Sequence, residues 1–122
     1  MSWNKNKASS YARWHAGSSS SDNCAMFVRH AIEAGGLNIG RTGEAKDYGN
    51  LLESAGFRSI GSGETPQEGD VVVIQPYPGG RPEGHMAIFD GTNWFSDFQQ
   101  RDMWGGPGYR SHKPPYIIYR KD

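Results

Sequence analysis

Asp22-Asn23-Cys24-Ala25-Met26-Phe27-Val28 is the stretch on which the reading of this chain turns, because it sets the chain's one cysteine at a helix start. Asp22 and Asn23 are residue types suited to capping. Beyond them Ala25, Val28, Ala31 and Ile32 recur at helical spacing as an apolar face, and Gly35-Gly36 supply a stop. Cys24 therefore falls in a first helical turn. A free thiol of pKa near 8.5 is only a few per cent thiolate at neutral pH. Unpaired N–H groups and the dipole at a helix start favour negative charge by roughly 0.3–1 kcal/mol, and a neighbouring imidazolium adds to this. The same N–H groups can hold the oxyanion of an attacked carbonyl, worth on the order of a hundredfold in rate. A lone cysteine is more commonly a small buried hydrophobe, so the nucleophile reading needs a base from elsewhere in the chain.

Four histidines compete for that role: His15, His30, His85 and His112. His15 falls near the end of a first, peripheral helix and His112 in a long loop. His30 is six residues beyond Cys24 on the same helix and points to another side. His85 opens a strand directly after Gly84, and a rigid strand is a good support for a base. An imidazole works better when a third group fixes its tautomer. Asp97 is on the next strand, and alternation groups it with Phe95 and Gln99. It is either the orienting acid or a solvated strand acid. The histidines show neither close helical spacing nor a carboxylate at ligand spacing, so no metal and no other cofactor is expected.

Working outward, 122 residues suit one domain over 1–122. Thirteen Lys and Arg balance thirteen Asp and Glu, so no net field draws the chain to nucleic acid or to an anionic membrane. A single cysteine excludes an intrachain disulfide. The polar start, Met1 to Ser10, lacks a signal-peptide core, and no run approaches the roughly 20 apolar residues of a membrane span. Synthesis in the cytoplasm without a signal for the general export route is the expectation.

Ser2 is suited to cap a first helix through Ala8, Tyr11 and Ala12, short and peripheral. Gly17 to Ser21 reads as a loop. A second good helical pattern uses Ala45, Tyr48, Leu51, Leu52 and Ala55, although Gly49 costs it about 1 kcal/mol of propensity. Strands follow at Phe57–Ile60 and Val71–Gln75. His85–Phe89 and Trp94–Phe98 make a hairpin across Asp90-Gly91-Thr92-Asn93. Gln99 to Pro115 is a long loop, and Tyr116–Arg120 is the last strand. Helices first and an antiparallel meander after them make an α+β plan. Trp104 and Tyr109 in the long loop are candidates for substrate contact; equally, they cover the core.

Three segments in one order then carry a resemblance. Asp22-Asn23-Cys24-Ala25-Met26-Phe27-Val28 resembles the nucleophile segment of CHAP amidases and NlpC-type cell-wall peptidases. Pro66-Gln67-Glu68-Gly69-Asp70-Val71-Val72 resembles their Pro-x-x-Gly-Asp entry to the first core strand, and Gly84-His85-Met86-Ala87-Ile88-Phe89-Asp90-Gly91 resembles their histidine strand and turn. The resemblance implies a papain-like fold, N-terminal helices packed on an antiparallel sheet. It also implies a peptidoglycan amidase or endopeptidase in which Cys24 is the nucleophile, His85 the base and Asp97 the polar third member, with Asp22 or Asn23 shaping the site. Small domains of this superfamily without a signal or a wall-binding repeat occur as type VI secretion effectors acting in the periplasm of target cells, and as phage lysis enzymes. The effector reading implies a monomer that meets the stem peptide and an immunity protein plugging its groove. A papain-like protease or deamidase acting on protein, and a noncatalytic wall-binding module, remain the alternatives.

Overall fold

The computed structural model describes residues 3–17, 23–61 and 63–122. Ser2, Asp22 and most of the Gly17 to Ser21 loop lie outside them. Four helices, α1 (Lys5–His15), α2 (Cys24–Ala34), α3 (Tyr48–Ser54) and α4 (Pro107–His112), accompany five strands, β1 (Arg58–Ile60), β2 (Val71–Ile74), β3 (His85–Phe89), β4 (Trp94–Phe95) and β5 (Tyr116–Arg120). The strands form one sheet in the order β1-β5-β2-β3-β4, with every neighbouring pair antiparallel. The expected α+β architecture, helices on an antiparallel sheet, is the one observed.

The central strand shows why the sheet sits inside. All four residues of Val71-Val72-Val73-Ile74 are buried, as a β-branched run covered on both faces must be. Val71, Val73, Met86 and Ile88 face Val28, Ile32 and Leu52 of the helices, whereas Val72, Ile74, Ala87 and Ile118 face a second cluster. Met103, Trp104 and Tyr109, from the segment before β5, close that second cluster. The sheet is thus covered by α1–α3 on one side and by the 99–115 region on the other.

Several local expectations shift for identifiable reasons. Helix α1 is capped by Asn4, whose side chain accepts from the Lys7 N–H at 2.9 Å. It is not peripheral: Ala8 and Ala12 are fully buried and join the core with α2. Ahead of α3, Ala45–Asp47 forms a 3-10 turn. Within α3, Gly49 makes room for Tyr119, whose hydroxyl would stand 2.5 Å from a Cβ. Strand β4 ends at Phe95 instead of Phe98. The chain folds back at once, with Ser96 N–H donating to Phe98 O, Phe95 bridging Gln99, and Gln100 N–H donating to Trp94 O. The alternation that grouped Phe95, Asp97 and Gln99 therefore does not apply, because the strand stops two residues before Asp97. Within the expected long loop, Pro107 opens α4, a position where its missing N–H costs nothing.

Candidate active site

Cys24 is the first residue of α2, as the sequence implied, but the helix start is built differently from the expectation. Asn23 makes no side-chain capping bond. Its carbonyl takes the Phe27 N–H at 2.9 Å, while its own N–H donates to Asp97 Oδ2 at 3.0 Å. Asp97, 7 % exposed, thereby anchors the start of the helix. Its backbone carbonyl also takes the Gly17 N–H at 2.8 Å, tying in the end of α1.

His85 opens β3, and its ring bond comes from a residue the sequence reading passed over. Nε2 lies 2.6 Å from Oε1 of Gln100. The Gln100 amide nitrogen donates to the carbonyls of Asp102 at 2.9 Å and Met103 at 3.2 Å, which fixes the amide's orientation. An oxygen facing Nε2 can only accept, so Nε2 carries the ring proton and Nδ1 is the basic nitrogen. Asp97 adds its charge, which favours the imidazolium, while the ring's Nε2–H donates to Gln100. Gln100 is 3 % exposed. A buried amide 15 residues past a strand-initial histidine was the available signal. It was hidden because a hairpin extended to Phe98 gives no reason to bring residue 100 back to His85.

Gly105 closes over this pair. It has φ +81°, and a Cβ there would lie 2.7 Å from His85 Nε2 and 3.0 Å from Gln100 Oε1. Only a residue without a side chain fits both the backbone and the space.

Cys24 and His85 line one cleft of about 270 Å³, together with Tyr77, Phe98, Gly105 and Tyr109. Tyr109 stands with its ring centroid 5.6 Å from that of His85 and 4.9 Å from that of Tyr77. Its hydroxyl is buried with no hydrogen-bond partner, and burial together with the nearby Cys24 pushes its pKa up to about 12. The hydroxyl therefore keeps its proton. Trp104, the other aromatic named from sequence, is not among the cleft residues. It packs edge-on against Tyr116 at 5.3 Å in the second core cluster, covering the sheet. The remaining histidines lie elsewhere: His15 stacks on Tyr11, His30 meets Arg29, and His112 stacks on Tyr77.

The electrostatics also differ from the helix-start expectation. Burial, the largest influence, raises the Cys24 thiol above its ordinary value, and the Asp97 charge pushes the same way. Backbone N–H groups of Met86 and Ala25 oppose this without overcoming it. Burial lowers His85 below its ordinary value, against smaller contributions from Gln100 and Asp97. Burial thus favours the uncharged form of each partner, thiol and imidazole. Strand β4 stops opposite Ile88, so among the described residues the His85–Ala87 half of β3 has no strand neighbour on that side. That gap leaves Met86 N–H to the thiol.

Comparisons with known proteins place this geometry in context. A family model described as "CHAP domain" matches residues 13–97. Among solved structures, a chain of the type VI native effector–immunity complex Tae3–Tai3 from Ralstonia pickettii is 47 % identical. The alignment covers 98 % of this chain and 100 % of that one, with a TM-score of 0.93. A chain of the SeMet form of that effector–immunity complex, also from Ralstonia pickettii, is 49 % identical over 93 % of this chain and 98 % of that one, with a TM-score of 0.87. No curated protein matches.

Proposed function

The chain belongs to the CHAP domain family, and from that premise we propose that it is a cysteine-dependent peptidoglycan hydrolase that cuts an amide bond of the stem peptide. The observation that carries this reading is the nucleophile–base pair in one cleft: Cys24 at a helix start beside His85, whose tautomer Gln100 fixes. As the substrate carbonyl seats, His85 Nδ1 takes the thiol proton while sulfur adds to the carbonyl carbon. Oxygen takes up the negative charge and is met by the Cys24 backbone N–H, with the Tyr109 hydroxyl as a second donor. The imidazolium returns its proton to the leaving nitrogen as the C–N bond breaks, leaving a thioester. Water then gives a proton to His85 and its oxygen to the acyl carbon, releasing a carboxylic acid and the free thiol. Of the three members read from sequence, Asp97 supports the base by charge and holds the α2 start, and Gln100 takes the orienting place.

Similarity over almost the whole chain to a type VI effector–immunity complex supports an antibacterial effector. In that reading the protein acts in the periplasm of target cells and is held inactive by an immunity protein. Defined muropeptides incubated with wild type and Cys24→Ala, followed by mass spectrometry, test the assignment. Wild type is expected to release new amine and carboxyl termini, and the variant none. Intact muropeptides with wild type, or equal cleavage by the variant, would remove the assignment.

A further inference from the structure

Cys24 lines two clefts, not one. Besides the aromatic cleft shared with His85, it lines a second of about 210 Å³. Cys24 and Glu83 belong to both. The two arms differ in chemistry. The first is walled by Tyr77, Tyr109 and glycines together with the paired Arg81 and Glu83, whereas the second is lined by Arg29 and the exposed Arg41.

The charges in the second arm do not cancel. Arg29 is buried and pairs with Glu33 at 3.0 Å. Glu83 pairs with Arg81 at 3.5 Å. Arg41 makes no hydrogen bond or ion pair among the described residues, so its guanidinium is the surplus charge.

The loop that carries Arg41 is nonetheless pinned on both sides. Ile39 is buried in the core, Gly40 N–H donates to Asn38 Oδ1, and Thr42 exchanges contacts with the buried Tyr48 hydroxyl. A fixed backbone presenting an unpaired planar fork suits bidentate capture of a carboxylate.

We propose that Arg41 is a specificity residue. It reads a free carboxylate on the same stem peptide whose carbonyl Cys24 attacks, so that the enzyme distinguishes acid from amidated stem peptides. This rests on the peptide-hydrolase reading of the site. Stem peptides carry carboxylates beside their backbone amides, and an amide in the same place offers no charge for the fork to pair.

The test is steady-state cleavage of a matched pair of synthetic stem peptides, one with free side carboxylates and one with those carboxylates amidated, by wild type, Arg41→Gln and Arg41→Lys. Wild type is expected to favour the acid form. Arg41→Gln is expected to raise KM for the acid form roughly ten- to hundredfold with little change in kcat, to leave KM for the amidated form unchanged, and so to lose the preference. Arg41→Lys should recover part of it. An unchanged preference in Arg41→Gln, or an equal loss on both substrates, overturns the role of Arg41 while leaving the hydrolase standing. Absence of cleavage of either peptide by wild type overturns the hydrolase itself.

Discussion

At the scale of single residues, the site depends on which nitrogen of His85 is free. Gln100 settles that by giving its two N–H bonds to carbonyls and its oxygen to Nε2. The buried imidazole has a lowered pKa, so it stays neutral, and able to accept a proton, at pH values where an ordinary histidine is already charged. The acid limb of kcat/KM is therefore expected below pH 6.5, the ordinary histidine value. Gln100 favours the charged form, so Gln100→Ala should push the limb lower still while reducing kcat by about tenfold or more through loss of orientation. A pH–rate profile of both proteins decides it; a limb at or above 6.5 in wild type would contradict the downward shift of His85. Cys24 and His85 were legible in the sequence because each sits at the first residue of an element with strong local signals. Gln100 was not, because its place depends on a fold-back after Phe95 that no residue pattern announces.

At the scale of elements, α4 and the turn before it form the wall of the cleft. Composition concealed α4, since Gly105-Gly106-Pro107-Gly108 reads as loop. Its six residues are held by ring contacts of Tyr109 and His112 with Tyr77, which are tertiary and invisible to periodicity. Helix α2 and strands β2 and β3, by contrast, were readable because their apolar faces repeat with the period of the element. The turn meets His85 at Gly105, where even a methyl group collides with the His85–Gln100 bond. Gly105→Ala should keep native far-ultraviolet circular dichroism yet lose on the order of a hundredfold in kcat, as misplacements of about 1 Å do. Unchanged turnover would show that the wall yields freely.

At the scale of the whole molecule, the Gly-Asp motif noted in sequence proves to be a staple between distant parts of the chain. Asp70, fully buried, receives two hydrogen bonds of 2.9 Å from Arg120 at the end of β5 and a third from Gln67 N–H. The resemblance placed this motif at the entry to the core strand without giving it a partner, since 50 residues separate the two charges. Asp70→Ala leaves Arg120 buried without its main partner, and a loss of about 3–5 kcal/mol in urea unfolding is expected; a change below about 1 kcal/mol would mean that Arg120 finds water instead. One short stretch has a further consequence. Asp97 holds the helix that bears Cys24 and Gln100 holds His85, so the residues between them work as a gauge block that sets the spacing of the thiol and the imidazole. Natural variation is then expected to be uneven: relatives can drift in side chain at the exposed Gln99, whereas an inserted or deleted residue in this stretch would retune the enzyme or end it.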